Sequence, residues 1–563
     1  MTKGIGASSG IALAKALVVK NEEIVITKKI IEDVEHELNK FNEALVLSKK
    51  DLEFMKDKVA KEIGESEAEI FEMHIMLLED HGFNQKVIDK IRNDKCNADF
   101  ALNEIKEEYV QMFESMDNEY MKERALDIKD ISQRTIRHLL KVKTVDLSSL
   151  EEDVILIVED LTPSDTATMD KSKVKGFITK VGGRTSHTAI MARTLEIPAI
   201  VGCGDLLDVI KDDDFIAMNG EEGVFEINPS DDVLSSYELK QKEELEYKEL
   251  LKNFIGKESI SMDGKKVELA GNIGSPADIQ TLLDNDAEGV GLYRTEFLYM
   301  DKEDSFPTEE EQFEAYKKVL EAMNGKPVII RTLDIGGDKE LPYFEIEEEM
   351  NPFLGYRAIR LCLDRTDIFK TQLRALYRAS IYGKLRIMFP MISSLEELLK
   401  TKDIIKEVLK ELDLEGIKYA KDVEIGMMIE VPSSAIISDI LAKHVDFFSI
   451  GTNDLIQYTC AVDRMNQKVS YLYNQLNLGV LRLIKIVIDN AHKEGKWVGM
   501  CGESAGDVNM IKLLLGMGLD EFSMSPSSIL KARKIISETS YEESKKVANN
   551  ILKLGVSDSN YEI

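Results

Sequence analysis

The sequence has little of what extracellular or membrane-spanning proteins rely on. Its five cysteines are odd in number and include no CxxC pair: Cys96, Cys203, Cys362, Cys460 and Cys501. This scatter predicts neither a disulfide framework nor a zinc site, and it favours reduced thiols. No apolar run approaches the roughly 18 residues of a membrane span, and the N-terminus lacks a signal-peptide pattern. We therefore expect a cytoplasmic protein without a membrane partner.

Positive charge is also in short supply. Lysine and arginine number 72 against 103 aspartates and glutamates, so the formal net charge is -31. A nucleic acid backbone or an anionic lipid surface would be repelled by such a chain, which excludes nucleic acid as an expected partner. A protein partner stays open. At 563 residues the chain is too long for one core, and three or so domains are expected.

Proline is absent between residues 30 and 142, and glycine occurs there only at Gly64 and Gly82. Apolar residues recur in this stretch at intervals of three and four, as in Ile63, Ile70 and Met73, which is the period of a buried helix face. The spacing predicts a bundle of four or so helices over 30–142. Strand-like runs on both sides predict an α/β domain, formed by 1–29 and 143–228, into which the bundle is inserted.

Residues 229–257 are rich in glutamate and lysine and predict an exposed linker helix. From 258 to 563 the chain alternates strand-like and helical runs. The candidate strands are 267–272, 289–293, 328–333, 385–390, 425–430, 447–451, 497–501 and 521–524. Eight such runs predict a (β/α)8 TIM barrel, whose functional residues gather at the C-terminal ends of its strands.

The stretch GGRTSHT, residues 182–188, lies between a strand-like and a helix-like run. Its glycines permit a tight turn, and Thr185 or Ser186 can cap the helix that follows. His187 then falls in the first helical turn, where free N–H groups and the helix dipole favour an anion. Neutral imidazole is a nucleophile, so a phosphorylated histidine is one interpretation. A solvated loop histidine is the other.

Charged residues stand at the ends of several candidate barrel strands. Glu430 and Asp454 offer hard oxygen ligands from adjacent strands, which suits Mg²⁺ or Mn²⁺. Arginines at the same rim suit a phosphate, because a planar guanidinium binds two oxygens at once. The candidates are Arg294, Arg331 and Arg464, with Asn453 and Cys501 beside them. A single buried arginine would more often belong to a structural ion pair, and a single buried cysteine would more often be a small hydrophobe.

Read as one string, GGRTSHTAIMARTLEIPAIVG resembles the phosphohistidine signature of the phosphoenolpyruvate-utilising enzymes. The barrel resembles that of the enzyme I family of the sugar phosphotransferase system. The matching strings are YRTEFLYM, RTLDIGGDK, NPFLGYRAIR, IGMMIEVPS, GTNDLIQYTCAVDR and GMCGESAGD. The resemblance spans nearly the full chain, although the proline-containing turn usual after VSYLY is absent here.

The resemblance implies a multidomain α/β protein that acts as a phosphoenolpyruvate-protein phosphotransferase. It implies His187 as the phosphorylated nucleophile and Cys501 as the proton donor to the enolate of pyruvate. The implied substrate contacts are Arg294, Arg331, Asn453, Asp454 and Arg464, and the implied Mg²⁺ ligands are Glu430 and Asp454. Lys339 lies beside them by motif. The phosphocarrier HPr would dock on the helical insert and receive the phosphoryl group, in the first step of sugar uptake, and the barrel would form a homodimer.

Two other functions fit part of this pattern. A pyruvate phosphate dikinase or phosphoenolpyruvate synthase would share the histidine and the barrel, but the chain has no GxxxxGK[ST] loop and little room for an ATP-binding domain. A non-catalytic scaffold that binds a phosphocarrier would not need His187, Glu430, Asp454 and Cys501 together. Incubation with phosphoenolpyruvate and Mg²⁺ separates this scaffold from the enzyme.

Overall fold

The structure is a computed structural model, and it describes most of the chain. The described residues are 2–19, 26–62, 65–114, 119–142, 147, 150–161, 169–170, 172–183, 187–195, 197–204, 209–300, 302, 304–337, 339, 341–344, 346–347, 349–464, 466 and 468–554. The chain divides into two compact units, Met1–Lys248 and Glu249–Ile563.

The first unit is built on an eight-stranded mixed sheet in the order β1-β8-β7-β3-β4-β5-β6-β2. Strands β3 to β6 run parallel, and the remaining pairings are antiparallel. The strands are β1 Thr2–Lys3, β2 Ile5–Ser8, β3 Ile11–Val19, β4 Val154–Val158, β5 Val174–Thr179, β6 Ala199–Val201, β7 Phe215–Asn219 and β8 Val224–Ile227. Strand β4 is buried along its whole length, as its unbroken VILIV run requires of a strand covered on both faces.

The described residues between β3 and β4 hold five helices, against the four or so that the spacing predicts. They are α1 Val34–Glu62, α2 Glu65–Leu78, α3 His81–Asp94, α4 Ala98–Glu114 and α5 Glu119–Leu140. Helix α3 begins as a separate element because the side chain of Asp80 caps it by accepting from Phe83 N. The apolar faces enclose their own core around Phe41, Phe71 and Phe83.

Two further helices follow along the chain, one within the first unit and one that extends past its end at Lys248. Helix α6 is His187–Thr194 and follows the glycine turn after β5, and helix α7 is Asp231–Lys252. The sequence predicts α7 as an exposed linker, and most of its surface is polar. Helix α7 is nevertheless hydrogen-bonded to the first residue of β3. Gln241 Nε2 donates to Ile11 O at 3.0 Å, and Ile11 N donates to Glu244 Oε2 at 3.3 Å.

The second unit is a closed barrel of eight parallel strands. Each strand pairs with the next along the chain, and β16 pairs with β9 to close the ring. The strands are β9 Glu268–Ile273, β10 Gly289–Arg294, β11 Pro327–Arg331, β12 Lys384–Phe389, β13 Glu424–Ile429, β14 Phe447–Ile450, β15 Trp497–Met500 and β16 Glu521–Met524. The predicted fold class, an α/β protein with a helical insert and a TIM barrel, is confirmed.

Helices surround the barrel and cover its outward apolar side chains. They are α8 Ile279–Asp284, α9 Glu296–Met300, α10 Glu309–Ala322, α11 Ile359–Asp364, α12 Thr366–Ala379, α13 Leu395–Glu415, α14 Pro432–Ile436, α15 Ser438–Leu441, α16 Thr452–Cys460, α17 Leu478–Lys493, α18 Val508–Met517, α19 Ile529–Ser537 and α20 Tyr541–Ile551. None of the helices in the described ranges is long and apolar enough to cross a lipid bilayer.

The barrel interior is filled by side chains in layers. A small apolar cluster occupies its middle, formed by Leu292, Ile329, Met388, Met428, Phe447 and Cys501. Below it, at the N-terminal ends of the strands, Arg386 lies over the Trp497 ring. Above it, at the C-terminal ends, the interior becomes polar and charged, which is where barrel enzymes carry their active sites.

Candidate active site

The charged residues predicted from the strand ends lie at the C-terminal mouth of the barrel. Arg294 and Arg331 end adjacent strands and are register partners. Glu430 follows β13, and Asp454 stands in the first turn of α16, directly after β14. Cys501 follows β15. The structure therefore brings Arg331, Glu430 and Asp454 together at one rim, and buries all three.

Arg331 is the centre of a buried ion cluster. Its Nη2 lies 2.6 Å from Glu296 Oε1, and its Nη1 lies 2.9 Å from Asp334 Oδ2. Lys339 Nζ bridges the same two carboxylates at 2.9 and 3.2 Å. Burial would raise the pKa of Asp334, but Arg331, Lys339 and Arg357 hold it well below the ordinary value. Both carboxylates are thus charged and keep the cations in place.

Arg357 is the main residue that the sequence reasoning missed. Its Nη2 lies 2.9 Å from Asp334 Oδ1 and 3.5 Å from Asp454 Oδ2, and its Nη1 donates to Tyr458 Oη at 3.3 Å. Only 2% of its surface is exposed. Arg357 does not directly follow a strand, so the expectation that functional residues lie at the C-terminal ends of the strands does not predict it. The string NPFLGYRAIR carried the only signal.

The backbone around Arg357 is built for close approach. Gly336 has a φ of +102°, and a Cβ there would lie 2.5 Å from the Cβ of Arg357. Only glycine satisfies both conditions, since other residues rarely adopt this φ and would collide. The loop after β11 therefore packs directly on the segment that carries Arg357. Ala358 also has a positive φ, of 53°.

Glu430 and Asp454 form an acidic pair next to these cations. Met391, whose φ is +58°, directs its N–H to Glu430 Oε1 at 2.5 Å. Burial raises the pKa of Glu430 to about 8, Asp454 and Asp334 add to the rise, and Arg331 and Arg357 oppose it. The left-handed conformation of Met391 thus aims its N–H at the Glu430 carboxyl and fixes the orientation of that side chain.

The oxygen donors of Glu430 and Asp454 are of the kind that binds a hard cation. In the described part of the chain, no three His, Cys, Asp or Glu side chains converge as a complete metal cage. Mg²⁺ does not need one, because it usually takes one or two carboxylates and completes its shell with water and substrate oxygens. Burial, and after it Asp454 and Asp334, raise the pKa of Glu430, so a cation bound beside it would favour its charged form. The residues present therefore fit Mg²⁺ or Mn²⁺.

Arg464 and Asn453 complete one side of the mouth. Arg464 Nη1 lies 3.7 Å from Asp454 Oδ1, and Tyr473 Oη donates to Asn453 O at 3.4 Å. The segment after Tyr473, which lacks the expected proline, is shaped by asparagine turns: Asn474 Oδ1 accepts from Leu476 N and Asn477 caps α17. Gln475 joins this turn to the loop after β15 by donating to Asp507.

Cys501 is buried at the floor of the mouth. Its Sγ donates weakly to Ile450 O at 3.9 Å, and its own carbonyl accepts from Asn272 Nδ2 at 3.2 Å. Burial raises the pKa of the Cys501 thiol to about 11, and the nearby Ser449 hydroxyl lowers it. The side chain is accordingly a protonated thiol at neutral pH, which is the state that a proton donor requires.

His187 lies in the other unit, where it begins α6. Its side chain and residues 184–186, which include the predicted capping residues Thr185 and Ser186, fall outside the described residues. The next residue fixes the helix end in place: Thr188 Oγ1 donates to Asp160 Oδ1 at 2.6 Å.

Comparison with known proteins gives three matches to family models, which together follow the two units. Residues 248–541 match the phosphoenolpyruvate-binding domain of the phosphoenolpyruvate-utilising enzymes. Residues 3–124 match the N-terminal domain of these enzymes, and residues 150–223 match their mobile domain. The chain is a member of this family. It is an enzyme, a phosphotransferase, and the family resemblance stated from its motifs is confirmed.

Relatives align with this sequence over almost their entire length. The phosphoenolpyruvate-protein phosphotransferase of Priestia megaterium is 54% identical over 96% of this chain and 95% of its own. The Bacillus subtilis (strain 168) protein of the same name is 53% identical over 99% of this chain and 97% of its own. A solved NMR structure of an enzyme I protein is 46% identical and covers 43% of this chain and 99% of its own, with a TM-score of 0.40.

Proposed function

We propose that the protein takes the phosphoryl group of phosphoenolpyruvate onto His187 and passes it to a histidine of the phosphocarrier HPr, the first step of sugar uptake by the phosphotransferase system. The observation that carries this proposal is the buried cluster at the barrel mouth. Its cations Arg331, Lys339 and Arg357 stand beside the acidic pair Glu430 and Asp454. Phosphoenolpyruvate carries a phosphate and a carboxylate, which need this much positive charge.

Different barrel residues bind different parts of the substrate. Arg294, Arg331 and Arg464, with Arg357 added from the structure, bind the phosphate and stabilise the charge that develops as it leaves. Asn453 and Asp454 contact the substrate from α16. Cys501 donates its thiol proton to the methylene carbon of the enolate, whose electron pair forms the new C–H bond, and pyruvate results.

Glu430 and Asp454 would hold the Mg²⁺ ion, with Mn²⁺ as a substitute. When bound, the cation supplies charge stabilisation to the oxygens of the substrate. The protein keeps Glu430 oriented for this purpose through the N–H of Met391. Arg357 and Arg464, which contact Asp454 at 3.5 and 3.7 Å, position the second carboxylate.

His187 is the acceptor in the first half of the reaction and the donor in the second. Its Nε2 attacks phosphorus in line as the bond to the enolate oxygen breaks. Residues 1–29 and 143–228 form the phosphohistidine domain, and the helical insert 30–142 binds HPr. The linker 229–257 lets this domain reach both the barrel, residues 258–563, and the carrier. The reaction is cytoplasmic, and the barrel forms a homodimer.

The decisive experiment follows the phosphoryl group itself. The full chain is incubated with phosphoenolpyruvate labelled with ³²P and with Mg²⁺, and the product is tested at acidic and alkaline pH. We expect one acid-labile, alkali-stable label per chain in the wild type and none in His187→Ala. An unlabelled but folded wild-type protein would indicate a binding scaffold and contradict the proposal.

The same variant tests the separation of the two sites. Phosphoenolpyruvate binding to His187→Ala, measured by calorimetry, should stay within about twofold of the wild type, because the histidine enters from another domain. A large loss of binding would contradict the assignment of the substrate to the barrel alone.

The docking role of the helical insert is tested by its removal. A chain without residues 30–142 should still be labelled on His187 but should not transfer the phosphoryl group to HPr. Continued transfer would contradict the docking role of the insert.

A further inference from the structure

Tyr458 is a residue of α16 to which the reaction described above gives no part. It stands four positions after Asp454, so the two side chains leave the same face of the helix. Tyr458 Oη donates to Phe353 O at 2.6 Å and accepts from Arg357 Nη1 at 3.3 Å. One hydroxyl therefore joins α16 to the loop segment that carries Arg357.

The contacts of Arg357 show what this hydroxyl adds. The closest contacts of Arg357 with its two carboxylate partners, 2.9 Å to Asp334 and 3.5 Å to Asp454, both involve Nη2. A guanidinium held mainly at one nitrogen is less restricted in rotation about that nitrogen. Tyr458 holds Nη1, the second terminal nitrogen, and so fixes the plane of the group. This plane matters because a guanidinium binds phosphate oxygens through coplanar N–H groups.

The partners of the Tyr458 hydroxyl also set the direction of both hydrogen bonds. A backbone carbonyl only accepts, and a guanidinium only donates. The single hydroxyl proton goes to Phe353 O, so the oxygen lone pairs are left for Arg357. Burial raises the pKa of Tyr458 to about 12 although Arg357 opposes the rise, and the phenol keeps its proton at neutral pH.

Tyr458 also acts on Arg357 through Phe353. The Phe353 ring centroid lies 5.7 Å from the guanidinium carbon of Arg357. A Cβ on Gly337, whose φ is +75°, would lie 3.4 Å from Phe353 Cδ1 and 3.5 Å from Arg357 Nη1, so the loop after β11 packs closely on both side chains. By holding the Phe353 carbonyl, Tyr458 keeps in place the residue whose ring lies beside the guanidinium.

We propose that Tyr458 is a positioning residue whose hydroxyl holds the guanidinium of Arg357 in the orientation that binds the phosphate of phosphoenolpyruvate. This proposal rests on the proposed function, in which Arg357 binds that phosphate. In this role Tyr458 acts through Arg357 and makes no contact with the substrate. A guanidinium that is already oriented needs no rearrangement as charge develops on the departing phosphoryl group, which is the basis of electrostatic preorganisation.

A double-mutant cycle tests whether Tyr458 acts through Arg357. Tyr458→Phe removes the hydroxyl and keeps the ring. The value of kcat/KM for phosphorylation of His187 is measured by rapid quench in the wild type, in Tyr458→Phe, in Arg357→Gln and in the double variant. Tyr458→Phe alone should lower kcat/KM about tenfold. In the Arg357→Gln background the same change should matter less than about twofold, because no guanidinium is left to orient.

Tyr356→Phe is the matched control for this change. Tyr356 precedes Arg357 along the chain, and its hydroxyl also makes a hydrogen bond of 2.6 Å, but to Asp364 Oδ2 in an exposed position. Its loss should leave kcat/KM within about twofold of the wild type. Urea denaturation of each variant gives the folded fraction to which the rates are referred.

The outcomes that would overturn the proposal differ from those that would contradict the proposed function. A value of kcat/KM in Tyr458→Phe within about twofold of the wild type would overturn it. Equal losses in both Arg357 backgrounds, or equal losses in Tyr458→Phe and Tyr356→Phe, would also overturn it, because the hydroxyl would then act on the fold alone. If even the wild type is not labelled on His187, the proposed function fails. The same cycle, read by calorimetry as the Kd for phosphoenolpyruvate, then decides whether Tyr458 orients Arg357.

Discussion

The two ends of the barrel both contain a buried arginine with carboxylate partners, yet they are built for different tasks. At the N-terminal end, Arg386 Nη1 lies 3.2 Å from Glu268 and its Nε lies 3.3 Å from Glu424. Its guanidinium also lies 4.5 Å from the Trp497 ring centroid, and Trp497 Nε1 donates to Glu424. The ring stacks in turn on Phe447. This end is a closed plug.

At the C-terminal end the charged side chains are more numerous, and they share partners instead of forming closed pairs. Asp334 interacts with three cations at once. The pKa of Glu430 is raised by burial and by Asp454, although two arginines oppose the rise. Arg464 and Lys339 keep 28% and 22% of their side chains exposed. Cations that share partners and reach solvent can bind an incoming anion at little cost. Arg386 cannot, because its guanidinium is buried between Glu268, Glu424 and the Trp497 ring, away from solvent.

The comparison shows that burial of charge alone does not mark an active site. What separates the two ends is the access of their cations to solvent. At the N-terminal end Arg386 lies buried between Glu268, Glu424 and the Trp497 ring, as expected for the stability end of a TIM barrel. At the C-terminal end several cations share their carboxylate partners, and Lys339 and Arg464 reach solvent.

The largest expected effect comes from Arg357→Gln at the C-terminal end. On the proposed function, loss of this guanidinium weakens phosphate binding, and it leaves Asp334 and Asp454 without one of their cationic partners. Phosphorylation of His187 by phosphoenolpyruvate should slow by about 100- to 1,000-fold. Rapid-quench measurement of labelled enzyme gives the rate.

Arg360→Gln is the matched control for this change. Arg360 lies three residues further on, and its Nη1 donates only to the carbonyls of Leu354 and Gly355 among the described contacts. Its loss should leave the phosphorylation rate within about twofold. Similar losses in the two variants would mean that the whole segment is merely perturbed, and the contrast between the two ends would lose its strongest support.

Arg386→Gln at the N-terminal end should do the opposite. Glu268 and Glu424 would lose their shared cation while partly buried, so we expect a loss of about 2–3 kcal/mol in the free energy of unfolding. The phosphorylation rate per folded molecule should stay near the wild-type value. Urea denaturation followed by activity of the folded fraction measures both quantities. A strong loss of activity without a loss of stability would mean that the N-terminal end of the barrel also contributes to catalysis.

The sequence predicts the barrel and the residues at its strand ends because both follow from local patterns. Eight strand-like runs mark the strands, and the end of each run marks the rim where Arg331, Glu430, Asp454 and Cys501 lie. Their individual roles stay predictions. The helical insert is predicted as a bundle of four or so helices from its spacing, and the described residues hold five.

Arg357 and Tyr458 could not be found in this way, because each depends on contacts between distant segments. Arg357 reaches the site only because Gly336, on another loop, allows close packing. The hydroxyl of Tyr458, on α16, meets Phe353 and Arg357 only because the fold brings their segment to this helix. No spacing rule links these positions along the chain.

The smallest expected effect is a pH-dependent change in stability from Asp520→Asn, near the N-terminal plug. Asp520 accepts from His492 Nε2 at 2.7 Å, Lys265 Nζ at 2.9 Å and Val498 N at 3.0 Å. Burial would raise the pKa of Asp520, but these contacts outweigh it and lower the pKa. Its contribution is therefore complete above the unfolded pKa of about 4 and is lost as pH falls toward the folded value. Urea denaturation should show Asp520→Asn less stable by about 1 kcal/mol at pH 7, with the difference shrinking as pH falls through about 4. Phosphorylation at pH 7 should be unchanged, and its loss would mean that the N-terminal end shares in the chemistry.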